Sequence, residues 1–338
     1  MKKLFMSVAG TLLLVLSSLN AIAAEDLVPD KQEKLDEIKM GWNHLLKLTG
    51  NVAINSSKDV VGQQSGDSNT YGLELTGKFS KKTEKSEWRN GLGVKGATTR
   101  TPALPKYIKS SDELKIDSLY LYHLESYPSI GPYGKFSAQT NIFRGDDVRA
   151  SAVNYVVFDK NGNSLPGQTG VDSFHLVDGF GVVTTKESVG FFSQPVKTET
   201  SSLELRAGLG AIQVTASSNQ FKVDDATSTT VTVSEIAPYS EVGFEVGFEY
   251  LNQINETSKF NMSVEALYPF NTDKGTGSLK DKDDVEFTQV EGVIGYESKL
   301  SSWSSLKYQY KAIHQIKVVE EWQVQQDLTL NFSHDFLK

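Results

Sequence analysis

From Trp42 onward, apolar and polar side chains alternate with period two, the signature of strands with one apolar and one polar face. The first segment sets Trp42, His44, Leu46, Leu48, Gly50, Val52 and Ile54 against Asn43, Lys47, Thr49 and Asn51. The cleanest sets Val242, Phe244, Val246, Phe248 and Tyr250 against Glu241, Gly243, Glu245, Gly247 and Glu249. Similar runs begin near Tyr71, Trp88, Leu114, Phe136, Leu203, Phe260, Val290, Leu306 and Trp322, and a less regular one spans 172–184. The pattern predicts twelve strands, each of roughly the 9–11 residues that cross an outer membrane when tilted.

Connection lengths alternate as well. Short turns are expected near 81–86, 126–131, 252–258 and 299–303, and longer polar loops near 55–68, 100–112, 144–171, 216–236 and 271–284. Two connections depart from this, a long one at 185–200 and a short one at 314–319. Short on one side and long on the other is how outer-membrane barrels treat their periplasmic and external ends, and an even strand number leaves both termini in the periplasm.

Twelve alternating strands also suit a soluble sandwich. Aromatic placement decides between the two. Trp42, Tyr71, Phe79, Trp88, Tyr133, Phe143, Tyr250, Phe260, Tyr268, Phe270, Trp303, Trp322 and Phe332 fall near strand ends, whereas strand interiors carry Leu, Val, Ala, Ile and Gly. Two aromatic girdles flanking a lipid-facing band have that distribution. The expected fold class is therefore all-β: a transmembrane antiparallel β-barrel of about 12 strands over 41–338, behind a short N-terminal periplasmic segment.

Composition then reads differently. The chain has 338 residues, is 38% hydrophobic, and carries 34 basic against 42 acidic groups, a net charge of -8. Its mean hydropathy is -0.32. After the first two dozen positions no run approaches the about 20 apolar residues of a helical span. The negative balance repels phosphate, so no nucleic-acid partner is expected. With no cysteine, disulfides, thiolate zinc sites and thiol catalysis are excluded.

The N-terminus reads as a secretory signal peptide over 1–23. Lys2 and Lys3 open it, Thr11 to Leu16 supply the apolar stretch, and Ala21-Ile22-Ala23 is a small-x-small cleavage site. Residues 24–40 form a periplasmic lead-in, where Leu35 and Ile38 are spaced for one face of a short helix. Export implies the bacterial cell outer membrane, with its lipid and lipopolysaccharide, periplasmic chaperones and the barrel-assembly machinery as partners.

Several motifs together resemble a group of uncharacterised, porin-like bacterial outer-membrane β-barrels. They are Glu87-Trp88-Arg89-Asn90-Gly91-Leu92, Lys109-Ser110-Ser111-Asp112-Glu113-Leu114 leading to Tyr120-Leu121-Tyr122, Gly131-Pro132-Tyr133-Gly134, and the stretch from Trp303 to Tyr310. The resemblance implies fold and location, without a substrate. Such barrels usually end on an aromatic residue; here Phe336 is followed by Leu337 and Lys338.

No catalytic constellation is visible, so no enzyme activity and no cofactor are expected. His44, His123, His175, His314 and His334 are scattered, and none sits in a serine- or aspartate-paired motif. Gly91-Leu92-Gly93-Val94-Lys95-Gly96 lies inside a strand, where small inward residues make room in a crowded lumen; a phosphate loop needs a strand-turn-helix setting. Asp146-Asp147, Asp224-Asp225 and Asp281-Lys282-Asp283-Asp284 match no calcium-loop spacing and read as solvated loop charge, so no metal is assigned.

The inward faces carry the most information. Lys47, Lys78, Arg89, Lys95, Lys115 and Lys135 point inward from the first five strands, against Glu74, Asp117 and Glu125. Glu204, Glu241, Glu245, Glu249, Glu265, Glu291 and Glu297 point inward from the seventh to tenth strands, against Arg206 alone. Lys307 and Lys311 restore basic charge on the eleventh. A basic arc facing an acidic arc suits a narrow passive channel for small polar or charged solutes. The alternative is a non-conducting barrel that anchors surface loops for adhesion or envelope integrity, its lumen filled by salt bridges.

Overall fold

The computed structural model describes residues 40–57, 66–102, 104, 106–270, 282–317 and 319–337. The expected signal peptide and nearly all of the lead-in lie outside these residues. In chain order the strands are β1 (Gly41–Ser57), β2 (Gly66–Lys82), β3 (Ser86–Arg100), β4 (Ile108–Tyr122), β5 (Ile130–Thr140), β6 (Gly145–Phe158), β7 (Ser164–Val177) and β8 (Val182–Lys197). There follow β9 (Ser201–Ala216), β10 (Phe221–Ala226), β11 (Thr230–Glu235), β12 (Tyr239–Gln253), β13 (Ser258–Pro269), β14 (Gln289–Lys299), β15 (Ser304–Gln315) and β16 (Val319–Leu337).

Twelve of them close a barrel in the order β1-β16-β15-β14-β13-β12-β9-β8-β5-β4-β3-β2. Every wall pairing is antiparallel. Closure joins Leu46–Val52 of β1 to Leu330–Leu337 of β16, with a bulge between Leu46 and Lys47. Both chain ends of the barrel, Gly41 and Leu337, lie at the end that bears the short turns.

Those turns have a local cause. In Thr83-Glu84-Lys85-Ser86 the Thr83 hydroxyl accepts the Ser86 N–H at 3.0 Å, and the Thr83 N–H donates to the Ser86 carbonyl at 2.8 Å. Thr198-Glu199-Thr200-Ser201 repeats the arrangement at 2.9 and 2.8 Å. A Thr-x-x-Ser spacing thus closes a hairpin through its own side chain, the mechanism by which Ser and Thr favour turns.

The other four strands form a separate sheet, β10-β11-β6-β7, at the long-loop end. It consists of the two longest connections, each folded into a hairpin. Parallel pairing of Thr230–Ser234 with Asn154–Phe158 joins them. One sheet face buries Val153, Tyr155, Val157, Phe174, Val231 and Val233, together with Val182 and Val214 of the wall. Tyr155 stacks on Phe174 at 4.7 Å.

The sixth predicted segment is corrected here. Residues 172–177 belong to β7, and their apolar residues Phe174, Leu176 and Val177 face the sheet core. The sixth wall strand is β8, which lies mostly in the stretch expected to be a loop. Lys186-Glu187-Ser188 and Pro195 disguise it, since proline inside a run argues against a strand. Pro195 is tolerated because it sits in the bulge between Ser193 and Val196, where the ladder needs no N–H. The connection after β8 is then the three-residue turn 198–200, and the alternation of lengths is restored at that point.

Outside, the wall is apolar, with Val189, Phe191, Leu209, Val242, Phe244 and Val246 all exposed. Aromatic contacts mark both rims. Trp42–Trp88, His44–Phe79, Tyr250–Phe260 and Trp303–Phe332 lie toward the short-turn end, at ring separations of 5.6–6.4 Å. Tyr71–Tyr107, Phe244–Phe270 and His314–Trp322 lie toward the other, at 4.5–6.0 Å. Tyr133, expected in a girdle, instead faces inward and is buried with Leu119, Leu121 and Phe192.

Candidate functional site: the charged interior

Strand alternation sends Glu87 and Arg89 of β3, Glu204 and Arg206 of β9, and Glu241, Glu245 and Glu249 of β12 to the interior. Cross-strand register stacks them, with Glu249 opposite Glu204 and Glu241 opposite Ile212. Glu204 has no exposed surface, and Arg89 and Arg206 are 6% and 8% exposed. Ions this deep persist only when paired and hydrogen-bonded.

They are paired. Arg89 Nε donates to Glu87 at 2.5 Å, and its Nη1 donates to Glu204 at 3.1 Å. Arg206 donates to Glu204 at 2.7 Å and Glu265 at 3.0 Å, and lies 3.6 Å from Glu249. Gln194 donates to the same Glu204 oxygen as Arg89, at 2.9 Å. Lys135 pairs with Glu265. Lys186 and Lys311 reach the two oxygens of Glu291 at 2.9 and 3.0 Å, and Lys317 reaches Glu241 at 2.9 Å. Lys259 pairs with Glu297 at 2.9 Å.

Several of these pairs cross the interior. In the wall order, β3 and β9 stand four strands apart, as do β5 and β13, and β8 and β14. The Arg89–Glu204, Lys135–Glu265 and Lys186–Glu291 pairs therefore join strands separated by a third of the circumference. Small inward residues leave the room: a Cβ on Gly247 would stand 3.1 Å from Arg206 Nε, and one on Gly210 2.7 Å from Glu245 Oε2.

Buried apolar side chains are interleaved with these ions. Leu119 pairs opposite Arg89, Leu121 opposite Glu87 and Phe192 opposite Arg206, and Tyr133 packs in the same cluster. Ile212 pairs opposite Glu241, Ile313 opposite Glu291 and Val293 opposite Lys311, and Leu267 is buried too, as is Phe287 of the short helical turn Asp284–Phe287, 1% exposed. Above them lies the core of the four-stranded sheet. Along β3, β9, β12 and β14 the interior is therefore packed much as a domain core is.

The sequence-predicted residues divide into two groups. Arg89, Lys135, Lys311, Glu204, Glu241, Glu249, Glu265 and Glu291 meet in the network just described, and Lys115 lies 3.7 Å from Asp117. Lys47, Lys78 and Lys95 are only half-buried, on β1 to β3. Register sets Glu74 opposite Lys95 and Glu297 opposite Lys307. Glu245 Oε1 is buried with no hydrogen-bond partner among the described residues. Glu125 lies outside the interior, in the 123–129 turn, paired with Lys85.

Sequence reasoning missed Glu87, Lys186, Lys259 and Lys317. Glu87 shares the parity of Arg89, and Lys259 that of Glu265, so alternation could have found both. Lys186 was hidden with β8, and Lys317 in a connection has no periodic signal. Because Lys186 and Lys317 bring cations to the acidic arc, opposed arcs give way to interlocked pairs.

Histidines and acidic loop clusters also have defined settings. His44 stacks beside Trp42 at 6.4 Å on the outer face. His123 Nδ1 contacts the Pro128 carbonyl at 2.6 Å, and His314 Nδ1 the Thr288 carbonyl at 3.0 Å. Asp147, expected to be solvated, is 4% exposed, and accepts from Tyr155 at 2.8 Å and Arg149 at 2.6 Å. Among the described residues no group of three or more His, Asp or Glu is placed to hold a metal ion.

No family model matches this chain, and no curated protein matches it. Solved structures of similar form include the translocator domain of the autotransporter NalP from Neisseria meningitidis, at 13% identity and TM-score 0.40, covering 89% of this chain and 91% of that one. An outer-membrane channel from Pseudomonas putida F1 is similar at 9% identity and TM-score 0.41, covering 88% and 97%. The NanC porin is similar at 8% identity and TM-score 0.36, covering 87% and 99%. Identities of this size carry no residue-by-residue correspondence.

Proposed function

We propose that this protein is an outer-membrane β-barrel of a Gram-negative bacterium, closed along most of its interior at rest, which holds a four-stranded sheet at the cell surface. The ion pairs that join strands a third of the circumference apart carry the reading, above all Arg89–Glu204 with both side chains under 10% exposed. An open pore would leave such charges in water. The exposed apolar band, with aromatics at both rims, supports the membrane setting. Lipid and lipopolysaccharide would cover that band, and periplasmic chaperones and the barrel-assembly machinery would deliver it there.

A second reading is the narrow passive channel for small polar or charged solutes. The half-buried Lys47, Glu74, Lys78 and Lys95 along β1 to β3 favour it, because that side of the interior is less tightly filled. Conductance in planar bilayers separates the two. The closed barrel gives no steps above background at neutral pH. Regular steps, with a reversal potential that moves toward anion selectivity in a Glu241→Gln/Glu245→Gln/Glu249→Gln variant, would establish the channel instead. For location, heat-modifiable migration in detergent gels and surface protease sensitivity at 164–170 on intact cells are expected; neither would occur with a soluble protein.

A further inference from the structure

One histidine sits where its two nitrogens make incompatible demands. His175 of β7 stands opposite Asp146 of β6, and its Nδ1 lies 3.1 Å from Asp146 Oδ1. Its Nε2 lies 3.0 Å from Asp178 Oδ1, in the link 178–181 between β7 and the wall strand β8. A neutral imidazole has one N–H and one lone pair. It can donate to one of these carboxylates only, and then turns a lone pair toward the other. An imidazolium donates to both.

The remaining charged and polar groups around it are accounted for. Arg144, in the β5–β6 link, donates through Nε to the same Asp146 oxygen at 2.8 Å. Gln220, in the β9–β10 link, is fully buried; its amide nitrogen donates to Asp178 Oδ2 at 3.1 Å, and its oxygen accepts the Asp178 N–H at 2.7 Å. Lys109, near Gly145, is taken up by Asp112 and the Phe143 carbonyl. The relay Arg144–Asp146–His175–Asp178–Gln220 therefore ties the stems of both surface hairpins together where they leave the wall.

We propose that His175 is a pH-sensitive clasp that fastens the four-stranded sheet to the barrel rim when protonated and loosens it when neutral. The protonated ring donates to Asp146 and Asp178 together, whereas the neutral ring leaves one of the two contacts without a proton. Acid favours the imidazolium and so fastens the sheet, and alkali loosens it. Its consequence is mechanical. The sheet packs on Val182 and Val214 at the end of the barrel, so stem mobility governs how firmly that end is covered.

The test is amide hydrogen exchange on the intact protein in nanodiscs at pH 5.5 and 7.5, each rate normalised to chemical exchange at that pH. Protection over 145–177 is expected to be about three- to tenfold greater at pH 5.5, the size expected of one additional charge-assisted hydrogen bond in a partly exposed setting. Protection over 239–269, in the wall, should not change. In His175→Gln the ratio should fall to one, because an amide offers one donor and one acceptor at any pH. A ratio of one in the unaltered protein, or an undiminished ratio in His175→Gln, would overturn the proposal. If His175→Gln loses heat-modifiable migration, Asp178→Asn takes its place: it keeps the Gln220 contacts, and an undiminished ratio there is equally fatal. The result does not depend on whether the barrel conducts.

Discussion

Replacing Glu204 with glutamine tests whether the interior is packed or water-filled. The carboxylate has no exposed surface and accepts from Arg89 at 3.1 Å, Arg206 at 2.7 Å and Gln194 at 2.9 Å. An amide keeps the shape but loses the charge, and offers one acceptor atom where two were used. Removing one partner of a buried ion pair costs about 3–5 kcal/mol when the other is stranded. Here neither arginine is stranded, since Arg89 keeps Glu87 and Arg206 keeps Glu249 and Glu265. Two weakened charge-assisted bonds, each contributing about 1.5–3 kcal/mol, then set the loss at about 2–3 kcal/mol. That is about 30- to 150-fold in the folded-to-unfolded ratio. Urea unfolding of the protein refolded into vesicles, followed by tryptophan fluorescence, reads it as a lower midpoint at unchanged slope. Glu199→Gln is the reference, because Glu199 is exposed in the 198–200 turn, outside the wall. In a water-filled lumen Glu204→Gln would act as a surface change, within about 0.5 kcal/mol of the unaltered protein. A shift that small, or one equal to that of Glu199→Gln, would refute the packed interior and the closed-barrel reading with it.

Other consequences can be checked one at a time. Tyr155→Phe removes a hydrogen bond to the buried Asp147 and should destabilise the surface sheet by about 1–2 kcal/mol, seen as faster proteolysis within 145–177 while the barrel stays heat-modifiable. Gly208→Ala places a Cβ 2.1 Å from the Val189 carbonyl oxygen, where β8 and β9 pinch together; the backbone must shift, at about 1–3 kcal/mol by the same unfolding assay. Asp178 is held below the usual carboxylate range, first by the Gln220 amide and then by His175. Its contribution is therefore present above about pH 4, the ordinary carboxylate value, and is lost as the pH falls through the lower folded value. Protection at the 175–181 stem should accordingly weaken below about pH 4 in the unaltered protein, and Asp178→Asn should reduce that acid-dependent change. Thr198→Val deletes the hydroxyl that closes the 198–201 turn and should cost about 1 kcal/mol, read as a lower urea midpoint.

Period-two alternation was enough to reach the closed antiparallel barrel and to locate eleven of its twelve strands, because lipid-type and lumen-type environments impose opposite demands on neighbouring residues. It also oriented most inward charges, including Arg89, Glu204, Glu249 and Lys311, since the parity of a strand follows from any one of its residues. Alternation failed where polar residues and a proline interrupt it, as at Lys186-Glu187-Ser188 and Pro195 of β8. There the bulge that excuses the proline exists only in the paired sheet. It failed again at 145–171 and 221–235, expected to be polar loops, which form strands that belong to no wall. Only the parallel pairing of β11 with β6, residues far apart in sequence, decides that these strands stack on Val182 and Val214 in a second sheet. The interior depended most on tertiary structure. Sequence fixes which residues face inward on a strand but carries no distance across a lumen. Whether Arg89 meets Glu204 or faces water is decided by barrel curvature and by glycines such as Gly247 that let a long side chain cross. The same holds for His175, unremarkable along the chain, which meets Asp146 and Asp178 only because a hairpin and a wall strand converge there.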